Sequence, residues 1–154
     1  MWERLRRFRA LERPAQSLFL RAILLLPMVA LSLRWRGFFW TQAMLERFLS
    51  IGTALEDSGE ADRRAAMTAH MVRVADWSGL VHPSCLAKSL TLRWLLMRQG
   101  IAADLRIGIR KENEKIAAHA WVERNGTALD EPEEHHRHYS AFDAEFSSMS
   151  SDMK

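Results

Sequence analysis

The sequence predicts an α+β domain, with several helices first and then a small antiparallel sheet packed on a central apolar helix. Two changes of pattern predict it. Up to Gly100 the apolar residues recur every three or four positions, the period of a helix, whereas Asp104 to Arg110 alternate strictly, the period of a half-buried strand. Further on, Asn125-Gly126 separates two short strand-like runs and supplies the positive φ angles that a two-residue hairpin needs. A chain of 154 residues fits a single domain. Within it, 1–78 reads as a helical region, 79–131 as the core that carries the chemistry, and 132–154 as an acidic, mobile tail.

The elements follow in order. From Ala15 to about Arg36, Leu18, Ala22, Leu25, Val29 and Leu33 make a helical stripe, and Pro27 predicts a kink or break near its middle. Gly37 punctuates. Trp40, Met44, Leu45, Phe48 and Leu49 mark a second helix ending near Gly52. After the polar link Glu56 to Glu60, a third helix carries the stripe Ala66, Met67, His70, Met71 and Val74, with Arg63, Arg64 and Arg73 outside it. Gly79 and Pro83 bracket a loop, and the next helix runs from Cys85 through Leu86, Leu90, Leu92, Trp94, Leu95, Leu96 and Met97. It is apolar on most sides, hence the central buried helix, and Gly100 fits a left-handed C-terminal cap. Strands are expected over 104–110, 116–123 and 127–130.

Charge and composition exclude several functions. The net charge of +3 hides six arginines against two acids in residues 1–21, and seven acids against Arg137 and Lys154 in residues 130–154. No aromatic residues interleave with a nucleic-acid motif, so the basic head is read as a solvated face with no nucleic-acid role. One cysteine leaves no internal disulfide partner and points to a reducing, cytoplasmic home, and no secretory cleavage site follows the N-terminal apolar run. Residues 22–33 are uncharged but number only twelve between Arg21 and Arg34, short of the about 20 that a span requires. A buried core helix is expected there, with weak membrane-surface association through Trp35, Phe38, Phe39 and Trp40 as the alternative. His135, His136 and His138 lack zinc-motif spacing and no glycine-rich phosphate loop occurs, so neither metal nor cofactor is expected.

The chemistry concentrates at Cys85 and His119. Ser84 is a good N-cap, which puts Cys85 at the first helical position, where backbone N–H groups and the helix dipole stabilise a thiolate and offer half of an oxyanion hole. Position alone leaves a second reading open, since a free cysteine is also a small core residue. His119 interrupts the apolar run Ile116 to Val122, and Ala118 and Ala120 leave room around it. If Asn125-Gly126 is a two-residue turn, Arg124 faces Thr127, Glu123 faces Ala128 and Val122 faces Leu129. Alternation then sets His119, Trp121 and Asp130 on one face, with Asp130 diagonal to the histidine as the acid that orients its ring. A bulge would exchange Asp130 for Glu131, and Glu123 shares the face farther along.

Ser84-Cys85-Leu86-Ala87-Lys88-Ser89-Leu90-Thr91-Leu92, Leu95 to Ala103, Leu105 to Arg110, and Ala118-His119-Ala120-Trp121-Val122-Glu123 together resemble the lasso peptide biosynthesis B proteins over roughly residues 82–131. The His-Ala-Trp-Val-Glu string alone resembles the wider transglutaminase-like superfamily. The resemblance implies a papain-like or transglutaminase-like fold with a Cys85-His119-Asp130 triad, Glu131 standing where the family's acid otherwise falls. It implies a leader peptidase acting on a ribosomally made precursor peptide. It further implies a separate leader-binding recognition-element protein and an asparagine-synthetase-like cyclase as partners. Two other functions remain in view: a transglutaminase-like acyl transferase, and a non-catalytic scaffold that docks peptides or a membrane surface.

Overall fold

The computed structural model describes residues 13–49, 52–53, 58–77, 83–112, 115–129 and 140–141. Helix α1 (Arg13–Arg47), α2 (Ser58–Asp76) and α3 (Cys85–Met97) precede strands β1 (Asp104–Glu112), β2 (Lys115–Arg124), β3 (Thr127–Ala128) and β4 (Ser140–Ala141). The strands form one sheet in the order β3-β2-β1-β4, with antiparallel pairing at each described register. The α+β architecture is therefore as the sequence predicts.

The α1 span is two helical arms that meet at a sharp bend at Gly37, where the sequence puts the break between the two expected N-terminal helices. Pro27 does not break the first arm. Helical φ/ψ continue through the proline, and the only departure is at Gly37 (φ 79°, ψ −179°), a backbone region essentially restricted to glycine. Across the bend the Ser32 and Thr41 hydroxyls lie 2.7 Å apart, and Thr41 Oγ1 also donates to the Gly37 carbonyl at 2.8 Å. Packing on one face of the helix offsets the cost of Pro27 within it: Ala15, Leu18, Ala22, Leu26 and Val29 are buried. In the second arm the buried positions are Thr41 and Leu45, while Trp40 and Phe48, expected in the stripe, are exposed.

The face that α2 buries is also rotated from expectation. Ala61, Ala65, Thr68, Ala69, Met71, Val72 and Ala75 are covered, whereas Ala66, His70 and Val74 are exposed. Ala61, Ala65, Ala69 and Ala75 allow close approach of neighbouring helices here, and Met71 and Val72 are the large side chains on the same face. Thr68 is accommodated because its hydroxyl donates to the Arg64 carbonyl and accepts from Gln99 Nε2.

Helix α3 is the centre of the molecule. Leu92, Leu95 and Leu96 join Ala22, Leu26, Ala65, Val72 and Val122 in the main core cluster, and Ala87 and Leu90 pack with Val29, Leu45 and Leu105 in a second. Each buried leucine contributes about 2 kcal/mol relative to exposure. The helix closes as its glycine predicts. Gly100 (φ 73°) gives its N–H to the Met97 carbonyl, and Ile101 gives its N–H to Leu96, the paired bonds of a Schellman cap. Gly52 lies against this cap, 3.3 Å from the Met97 carbonyl, where any Cβ would sit 2.5 Å from the Arg98 oxygen. Trp94 Nε1 donates to the Leu45 carbonyl and ties α1 to α3.

The β2–β3 hairpin has the expected register, Glu123 opposite Ala128 and Arg124 opposite Thr127, and Leu129 N–H reaches the Val122 carbonyl. Asn125 (φ 52°) and Gly126 (φ 77°) supply the turn. Arg124 fastens it to α2 through Asp62 at 2.7 Å. Strand β4 was not anticipated. It lies in the stretch read as a mobile tail, yet Ser140 and Ala141 pair with Ile109 and Gly108 of β1.

Candidate active site

Cys85 opens α3 as the sequence predicts. Ser84 is extended (φ −65°, ψ 161°) and its Oγ accepts the Ala87 N–H at 3.2 Å, while its carbonyl accepts the Lys88 N–H. The cap leaves the N–H groups of Cys85 and Leu86 without an intrahelical acceptor, facing outward from the helix start. Cys85 is half-buried rather than packed away in the core. It lines a cavity of about 200 Å³, together with Val72, Arg73, Asp76 and Trp77 of the α2 end, Lys88, and Ala120 of β2. This is a thiol with space in front of it.

The cavity has charged walls. Lys88, one turn beyond the thiol, pairs with Asp76 Oδ2 at 3.3 Å, bridging α3 to α2. Both groups are partly exposed. Neither was singled out from sequence. Lys88 lay in plain view at three residues from Cys85, a same-face helical spacing; Asp76 carried no local signal, because a tertiary contact places it.

Strand β2 is fastened to the same stretch of α3. Ser89, fully buried and four residues on from Cys85, donates its hydroxyl to the Ala120 carbonyl at 2.9 Å. Farther along, Leu92 and Val122 share the main core. The residue next to His119 therefore stands on the wall of the thiol's cavity. The faces divide by alternation. Val122 and Ala120 look toward α3, while His119 is half-buried on the other side, its ring stacked on Trp121 at 6.0 Å between centroids and 18° between planes. Among the described residues, the cavity lining includes Ala120 and not the His119 ring.

The face that carries His119 holds a polar row. Trp121 is almost fully buried and its Nε1 donates to Glu123 Oε1 at 2.7 Å, and the other Glu123 oxygen accepts from Arg106 Nε at 3.1 Å. Arg106 stands directly opposite Trp121, and Gly108, which has no side chain, stands directly opposite His119. Glu123, which shares the histidine's face in the sequence, is thus the residue that fixes Trp121. Strand alternation and pairing would have been enough to find this bracket.

The expected acid, Asp130, and its substitute Glu131 lie outside the described residues, as does the His135, His136 and His138 cluster. Among the described residues no group of histidine, cysteine and carboxylate side chains could hold a metal ion. A capped, accessible thiol on a cavity wall beside a histidine-bearing strand suits nucleophilic attack on a carbonyl carbon.

A family model described as the transglutaminase-like superfamily matches residues 28–142. No curated protein and no solved structure matches the chain. The matched region reaches well beyond the expected core of 79–131, from the middle of α1 to the residue after β4.

Proposed function

The chain belongs to the transglutaminase-like superfamily, and on that premise we propose that it is a cysteine peptidase that removes the leader from a lasso peptide precursor. The superfamily match supports cysteine-peptidase or acyl-transfer chemistry. The leader-peptidase reading rests on the sequence resemblance over 82–131. The observation that carries the chemistry is Cys85 at the capped start of α3, lining one cavity with the β2 residue adjacent to His119.

In the proposed reaction the Cys85 sulfur attacks the carbonyl at the leader–core junction, and the bond to the core nitrogen breaks. His119 takes the thiol proton and returns it to the departing amine. Water then attacks the thioester, frees the leader as an acid and regenerates the thiol. The N–H of Cys85 faces the developing oxyanion. Asp130 orients the imidazole, with Glu131 as its substitute. The His119 ring stacks on Trp121 on the face of β2 away from α3. The scheme therefore requires a local turn of β2, and not ring rotation alone, to bring the imidazole within hydrogen-bond reach of the sulfur when peptide is bound. The partners are the precursor, a leader-binding recognition-element protein and an asparagine-synthetase-like cyclase, and the setting is cytoplasmic.

The test is leader release from precursor by wild type, Cys85→Ala and His119→Ala, with the recognition protein present. Both variants are expected to lose at least about a thousandfold in rate; release at the normal rate by either one overturns the assignment. The superfamily favours one second reading, capture of the same thioester by an amine. Product masses separate the two, since hydrolysis adds water and transfer adds the amine.

A further inference from the structure

Between Arg21 and Arg34 helix α1 is uncharged on every side, yet only one of its sides is covered. Its most apolar window has a mean hydropathy of 1.8, long and apolar enough by length and composition to cross a membrane, but only 28% of that window is buried. The core takes Ala22, Leu26 and Val29. Opposite them Leu20, Leu24, Met28, Leu31, Trp35 and Phe39 form an outward stripe, each about half exposed or more, with Leu24 at 71% and Trp35 at 76%. Steps of three and four residues keep the stripe on one face for about 23 Å between Leu20 and Trp35. A helix that is apolar on every side ordinarily has both sides covered.

The charges say what covers it. Arg13, Arg21, Arg34 and Arg36 are all exposed, and the helix holds no acid before Glu46. Among the described residues none of the four is in an ion pair, and Arg36 lies over the Trp40 ring at 5.0 Å. Residues 1–12 add four more arginines against two acids in sequence. A second copy of the helix fits poorly. Pairing the stripes would set arginine rows against each other, with no carboxylate to separate them. An anionic lipid surface meets both features at once: its headgroups take the arginines and its acyl boundary takes the leucines and aromatic rings.

We infer that the outer face of α1 docks this protein on an anionic membrane surface, lying along the interface rather than crossing it. A crossing helix would have to withdraw Ala22, Leu26 and Val29 from the core. The inference is independent of the peptidase reading, because it uses no residue of the Cys85 cavity.

The experiment is co-sedimentation of the full chain with vesicles of phosphatidylglycerol and phosphatidylcholine in equal parts, against phosphatidylcholine alone. Wild type and Cys85→Ala should bind the anionic vesicles alike. The double variant Leu24→Ser with Leu31→Ser, altered only at exposed positions, should bind at least about tenfold more weakly while melting at the wild-type temperature. Arg21→Gln with Arg34→Gln should lose about fivefold per arginine at low salt, and this difference should fade as salt rises. Binding that is equal on both lipids, or unchanged in the leucine variant, overturns the inference. So does a wild type that ignores vesicles, whether it is held as a dimer that the leucine variant splits or bound only by an acidic protein.

Discussion

Two substitutions at Ser84 separate the stability of the α3 start from its chemistry. The Ser84 hydroxyl accepts the Ala87 N–H at 3.2 Å, so Ser84→Ala removes one cap bond and costs about 1 kcal/mol. For a chain of this size that is a fall of about 3 °C in melting temperature. Ser84→Asp keeps a carboxylate oxygen at the cap and holds stability within about half a kcal/mol of wild type. It also sets a negative charge on the residue next to Cys85, for which a separation of about 6 Å from the sulfur is taken. At that separation the repulsion is about 0.7 kcal/mol in a water-like dielectric and about 3 kcal/mol at the lower value usual near protein surfaces, a drop of about threefold to a hundredfold in thiolate reactivity. Cys85 is half-buried, which favours the upper part of that range. The assay pairs urea unfolding with the rate of iodoacetamide labelling at neutral pH, read by mass. Ser84→Ala should lose stability, and Ser84→Asp should label slowly at full stability. Labelling of Ser84→Asp at the wild-type rate would refute the claim that the thiol reacts as an anion at a helix start.

Three other substitutions test the frame around the site. Gly52→Ala drives a Cβ to 2.5 Å from the Arg98 carbonyl and 2.8 Å from the Gly100 nitrogen, so it should cost about 2 kcal/mol or more; an unchanged melting temperature would contradict that close approach. Gly37→Ala meets no neighbour, and its cost of about 1–3 kcal/mol is purely that of φ 79° with ψ −179°, measurable by urea unfolding. Ser89→Ala removes the buried bond to the Ala120 carbonyl and should cost about 1–3 kcal/mol. Its peptidase rate should fall with KM little changed if β2 needs that bond to stand beside the thiol.

Local chemistry was the legible part of this chain. The Ser84 cap, the Gly37 bend, the Gly100 cap and the Asn125-Gly126 turn each rest on one or two residues with a strong backbone preference, and each lies where the sequence puts it. The hairpin register followed from the turn, and with it the shared face of His119 and Trp121. What the sequence hid was set by neighbours. Pro27 reads as a breaker until packing on the Ala22, Leu26 and Val29 side holds the helix through it. The buried face of α2 is built mostly on alanines, so a search for large apolar residues caught only Met71 of it. The α1 stripe of Leu18, Ala22, Leu25, Val29 and Leu33 is the side that the core takes, but the same reading did not announce the second apolar side that stays exposed. Strand β4 and the Asp76–Lys88 pair come from contacts across long or irregular stretches of chain, where no pattern announces them. The acid at Asp130 or Glu131 was reached only from strand alternation and the family resemblance, and both positions fall outside the described residues.

The central claim is that Cys85 carries the acyl group during the reaction, and intact-protein mass tests it most directly. Wild type mixed with precursor and recognition protein, then quenched in acid, should show a thioester adduct of the leader acyl group, mapped to Cys85 by digestion. Cys85→Ala should show neither adduct nor free leader. Leader released by Cys85→Ala at the wild-type rate, or an adduct on any other residue, would contradict the account.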